Sequence, residues 1–128
     1  MSPDRPSYAE LHAHSAFTLL DGADLPDALV AAAAELGLDA LAVLDVDGMH
    51  SAVQVTSAAR EKNLPIVHGA ELTLDPAFLL EADKGAAERG WGLVEGAEDP
   101  GVRLPVLVSS PRGYTALQGT NRELTAVN

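Results

Sequence analysis

The chain has 128 residues, 47% hydrophobic and 21% charged, with 8 Lys plus Arg against 19 Asp plus Glu and a formal net charge of -11. This suits one ordinary folded domain and excludes a disordered or fibrous segment, while a surface of that sign repels phosphate backbones and argues against DNA binding by this piece alone. The absence of cysteine excludes a disulfide framework and a thiolate metal site. No apolar run approaches bilayer length, and the start Met1-Ser2-Pro3-Asp4-Arg5-Pro6 lacks a signal-peptide layout, so a soluble, unprocessed, cytoplasmic protein with no membrane partner is expected.

Residues 8–74 alternate short apolar runs with amphipathic stretches, a pattern of repeated βα units that predicts a parallel sheet. Residues 8–12 read as the first strand. Leu25, Ala28, Leu29, Ala32, Ala33 and Leu36 then fall at helical spacing. Asp24 is suited to cap that helix, Pro26 is tolerated in its first turn, and Gly37 fits the left-handed position after its end. Residues 40–44 read as a buried strand leading into Asp45-Val46-Asp47-Gly48, and residues 49–62 as a helix with Ala52, Val55 and Ala59 on one side. Asn63-Leu64-Pro65 breaks the chain, and Ile66–Leu74 reads as a third strand.

Residues 75–101 turn acidic and Gly/Ala-rich and read as an insertion, mostly loop with a short helix near residues 78–81. Residues 102–108 look like a fourth strand, which Pro105 demotes toward an edge or a bulge by removing a ladder donor. A closing helix over residues 111–127 carries Tyr114, Leu117 and Leu124.

The chemistry concentrates at strand ends. In His12-Ala13-His14, alternate strand residues point to one side and can offer two imidazoles to one metal, and in parallel α/β barrels such ends line the mouth where reactions occur. Alone, a His-x-His pair is more often two hydrogen-bonded structural histidines. Here Asp21 follows in Leu20-Asp21-Gly22, Asp45 and Asp47 follow the second strand, and Glu71 ends Gly69-Ala70-Glu71. Mixed nitrogen and oxygen donors of this kind suit Zn²⁺, Mn²⁺ or Fe²⁺ acting on a phosphoester. Asp47, before Gly48, reads as a turn residue. His50, in a first helical turn, and His68, in an apolar strand, read as structural, and Trp91 and Tyr114 are too isolated to stack bases.

The stretch Tyr8-Ala9-Glu10-Leu11-His12-Ala13-His14-Ser15-Ala16-Phe17-Thr18-Leu19-Leu20-Asp21-Gly22 resembles the first motif of the PHP (polymerase and histidinol phosphatase) family as found in bacterial C-family DNA polymerases. Further matches are Gly37-Leu38-Asp39-Ala40-Leu41-Ala42-Val43-Leu44-Asp45, Asp47-Gly48-Met49, Ala58-Ala59-Arg60-Glu61 and Gly69-Ala70-Glu71-Leu72. Leu104-Pro105-Val106-Leu107-Val108, then Gly113-Tyr114 and Leu117, completes the similarity, which is stronger to the error-prone subgroup than to the main replicative subunit.

The resemblance implies an α/β fold, the N-terminal part of a PHP-type distorted (β/α)7 barrel, with about four parallel strands here and helices outside. Residues 1–128 would form a partial PHP domain carrying the 75–101 insertion. The family's metal ligands fall on His12, His14, Asp21 and Glu71, which implies a divalent Zn, Mn or Fe ion in a site expected to be incomplete or empty, since an arginine beside it opposes occupancy. Two departures leave that set incomplete: Val46 stands where the family has a His after the second strand, and Arg103 where a His opens the fourth. The implied parent is an error-prone, DNA-directed DNA polymerase serving damage-tolerant synthesis in replication and repair. This chain alone is expected to carry no catalytic residue, to be inactive in nucleotidyl transfer, and to meet DNA and any replication or repair proteins only through that parent. The alternatives are a stand-alone metal-dependent phosphoesterase or exonuclease and a non-catalytic scaffold module. Open sheet edges predict self-association.

Overall fold

Two consecutive βαβ units build the frame of the molecule. The computed structural model describes residues 6–74 and 102–126; the helix expected near residues 78–81, Trp91 and the rest of segment 75–101 lie outside the described residues. The elements are β1 (Ala9–Ala13), α1 (Pro26–Glu35), β2 (Ala40–Val43), α2 (Ala52–Lys62), β3 (Ile66–Leu74), β4 (Val102–Leu107) and α3 (Pro111–Ala126).

The four strands form one curled sheet in the order β1-β2-β3-β4. β1 and β2 pair in parallel, as do β2 and β3. β4 departs from the expected all-parallel arrangement, running antiparallel to β3 with Glu71 opposite Pro105 and Thr73 opposite Arg103. The missing N–H of Pro105 is tolerated because, among the described residues, β4 is the outermost strand of the sheet on that side.

β1 holds an irregularity. Between the pairs Glu10↔Leu41 and Ala13↔Val43, β1 uses one more residue than β2, which marks a bulge. The N–H of His12 therefore bonds not to β2 but to the Glu10 carboxylate at 2.9 Å, whose other oxygen accepts from Tyr8 Oη at 2.9 Å. These bonds, led by the His12 N–H, hold the Glu10 carboxyl below its usual range.

Leu41, Val43 and Ile66 pack toward α1 and α2, whose Val30, Ala33, Val55 and Ala59 complete the larger core cluster with Leu64. The buried stripe of α1 is Pro26, Val30 and Ala33, while Leu25 and Leu36 lie exposed at its two ends. Asp24 makes no cap: Leu25 is the N-cap and no side-chain bond closes it, because Pro26 at the first position already lacks the N–H that needs a partner. Gly37 does adopt the left-handed conformation, with φ of 67°. The second cluster sets Leu117 of α3 against Ala70 and Leu72 of β3. On β3 the even-numbered residues thus face helices, and Glu71 points to the opposite side.

Candidate metal centre at the strand ends

Glu71 is fixed by backbone pairing that extends the β2-β3 ladder past the end of β2. Its N–H donates to the Asp45 carbonyl at 3.1 Å, its carbonyl accepts from the Asp47 N–H at 2.8 Å, and Val46 forms an isolated parallel bridge with it. Asp47 makes this turn with φ of 51° and accepts the Thr73 N–H at 2.7 Å. The turn role expected of Asp47 is therefore visible in its contacts.

The β1–α1 loop is held by Asp45, which is 1% exposed. One carboxylate oxygen accepts from the Ser15 N–H at 2.9 Å, the Ser15 hydroxyl at 2.8 Å and the Thr18 hydroxyl at 2.9 Å, and the other accepts from the Ser51 hydroxyl. Burial pushes the Asp45 carboxyl up, but these bonds outweigh it and leave the group below its usual range. The loop is tight: the Ala16 N–H reaches the Asp24 carbonyl at 2.7 Å, and a side chain at Gly22 would run into the Ser15 carbonyl. Asp45 was legible as an acid at a strand end, but its role as the hub of three hydroxyl groups was missed. The weak signal for it is the recurrence of Ser15, Thr18 and Ser51 at the flanks of the first two strands.

Three of the four expected ligands converge. His12 Nε2 and His14 Nε2 both meet Glu71 Oε2, the latter at 2.7 Å, and one donor atom from each residue lies within 4.8 Å of the others. The two imidazoles stand edge to face with centroids 5.3 Å apart. Burial pushes the Glu71 carboxyl up, and hydrogen bonds to His12 and His14 more than offset it, so the group stays ionised below its usual range. Asp21 sits on the other side of His14, its Oδ2 3.3 Å from Nδ1, outside the three-donor group. It is bound instead to Arg103, whose Nη1 lies 3.0 Å from Asp21 Oδ2 and 3.7 Å from Glu71 Oε1.

A divalent ion fits this arrangement in part. Two imidazole nitrogens and one carboxylate oxygen form a mixed N/O donor face of the kind that suits Zn²⁺, Mn²⁺ or Fe²⁺. A fourth protein donor is lacking among the described residues, since Asp21 is engaged by a guanidinium and Val46 offers no donor atom.

His50 and His68 lie outside the donor group. The His50 ring rests against Gly48. His68 faces α2 and α3, contacting Thr56 Oγ1 at 3.3 Å and the Tyr114 ring edge-on at 5.5 Å. Burial pushes its imidazole below the usual value. A cavity of about 590 Å³ lies beside it, lined by Ile66, Val108, Pro111 and Tyr114 among others.

A four-stranded α/β sheet with two imidazoles and a carboxylate converging at strand ends defines the class, an α/β domain carrying a candidate metal centre. Within that class the chain belongs to the PHP domain family, whose profile matches residues 10–121. It is 43% identical over 121 residues to the error-prone DNA polymerase of Mycolicibacterium paratuberculosis, covering 94% of this chain and 10% of that protein. It is 44% identical over 122 residues to the error-prone DNA polymerase of Mycobacterium tuberculosis H37Rv, with 95% and 10% covered. The chain thus spans about a tenth of the length of these curated relatives. Among solved structures, a candidate metal-dependent phosphoesterase from Bifidobacterium adolescentis matches with TM-score 0.52 and 32% identity over 57% of this chain and 25% of that one. An amidohydrolase from Chromobacterium violaceum, with TM-score 0.56 and 20% identity over 88% of this chain and 33% of that one, shares the fold.

Proposed function

We propose that this chain serves as the N-terminal PHP region of an error-prone DNA polymerase, supporting damage-tolerant synthesis without performing nucleotidyl transfer itself. The observation that carries this reading is identity of 43–44% to error-prone polymerases, sustained across 94–95% of the chain. The charge agrees with it, since a net -11 disfavours direct contact with template, and DNA is met through the parent enzyme. The setting is cytoplasmic, the partners are replication or repair proteins, and residues 1–128 act as one partial PHP unit bearing the 75–101 insertion. Among the described residues no helix is long and apolar enough to cross a membrane. Among the described residues β1 and β4 are the outer strands of the sheet, and such edges favour pairing with a second copy or a neighbouring domain.

His12, His14, Asp21 and Glu71 are the pocket residues of this reading, with His12, His14 and Glu71 as the direct donors. A divalent ion, where one is held there, would supply Lewis acidity toward a phosphoester. The chain's own part is to present two imidazoles through the β1 bulge and to hold Glu71 ionised.

Deleting the gene in its host and counting mutants after ultraviolet damage tests the proposal. A fall in induced mutation frequency is expected; an unchanged frequency overturns it. A stand-alone phosphoesterase is the second reading, favoured by the likeness to the Bifidobacterium protein. Stoichiometric metal together with phosphoester turnover by the purified chain would support it.

A further inference from the structure

Arg103 is on the same side of the sheet as Glu71, because β4 places it two residues from Pro105, the partner of Glu71. A diagonal position of this kind is within reach of a long side chain. Its guanidinium enters between the two acids of the pocket, 3.0 Å from Asp21 and 3.7 Å from Glu71. With His14 touching both acids, these residues close a ring: His14 to Asp21, Asp21 to Arg103, Arg103 to Glu71, and Glu71 back to His14.

We propose that Arg103 is the resident cation of this pocket, a covalently tethered replacement for the divalent ion at Asp21 and Glu71. The inference rests on reading His12, His14 and Glu71 as metal donors. Two carboxylates carry a charge that one divalent ion would neutralise; the arginine supplies half of it and repels a second cation. Unlike a metal, a guanidinium carried on the chain cannot dissociate from the pocket. The link between the β1–α1 loop, β3 and β4 is therefore independent of metal supply. The result is a clamp where relatives of this architecture can hold an exchangeable ion.

Calorimetric titration of the full chain with Mn²⁺ and with Zn²⁺, alongside thermal unfolding with and without chelator, tests this. Wild type should bind weakly and unfold at the same temperature in both conditions. Arg103→Gln should bind about tenfold more tightly or better, Arg103→His more tightly still, and both should lose stability that either metal restores. Arg103→Lys keeps the charge and should stay a weak binder. Adding His12→Ala to Arg103→Gln should abolish the gain. Tight metal binding by wild type that His12→Ala removes would overturn the replacement while leaving the donor assignment intact. No binding by any variant would overturn both. If Arg103→Gln is unfolded as isolated, recovery of the fold on adding Mn²⁺ or Zn²⁺ supports the proposal and failure to recover overturns it.

Discussion

Asp45 accepts two hydrogen bonds from Ser15, one from the backbone N–H at 2.9 Å and one from the hydroxyl at 2.8 Å, joining the end of β2 to the loop after β1. Because the carboxylate is buried and charge-assisted, Asp45→Asn should cost about 2–4 kcal/mol. Its folded value is depressed below the ordinary 3.8, so its stabilisation is complete above that value and is lost as pH falls through the folded one. Urea unfolding of wild type should therefore weaken on acidification below about pH 4, and part of that slope should vanish in the variant.

Leu20 has φ of 69° and is fully exposed, so a leucine sits in a left-handed conformation with no packing to compensate. Leu20→Gly should raise stability by about 1 kcal/mol, read as a higher denaturation midpoint at unchanged slope. A lower midpoint would show that the side chain contributes something the geometry does not reveal.

Gly69 lies where β3 and β4 run close. A Cβ there would overlap the Val106 carbonyl and crowd Leu44 at 3.2 Å. Gly69→Ala should destabilise by about 1–3 kcal/mol. Hydrogen exchange should locate the loss in the β3-β4 ladder, and uniform protection equal to wild type would refute the steric account.

His68 has its value lowered by burial, so the unfolded chain takes up a proton first. Its contribution is complete above the ordinary 6.5 and is lost as pH falls from there through the folded value. His68→Phe keeps an aromatic edge against Tyr114 and should flatten the stability profile below about pH 6.5. Parallel profiles for the two proteins would count against it.

Much of this was legible in local pattern. β3 and the buried face of α2 follow from period and punctuation, and Asn63 ends α2 in a left-handed turn with φ of 52° where the chain was expected to break. The direction of β4 was not legible, because strand polarity depends on a connection that leaves no periodic trace. Pro105 signalled only that the strand would sit at an edge. On α1 helical spacing alone selects Leu25 and Leu36, which lie exposed at the helix ends, and passes over Val30, which is buried in the core with Val55 and Ala59. His12 and His14 could be named from strand alternation and the first motif, and Glu71 from the separate Gly69-Ala70-Glu71-Leu72 match. The pairing of Arg103 with Asp21 spans 82 residues and requires the curled sheet itself.

β1 and β4 are at opposite ends of the four-stranded order, which on a flat sheet would separate them by about 14 Å. The ring of His14, Asp21, Arg103 and Glu71 nevertheless ties the first strand's loop to the last strand, like a drawstring across a partly opened purse. Whatever occupies the pocket therefore also bears on how the first and last strands are held to each other.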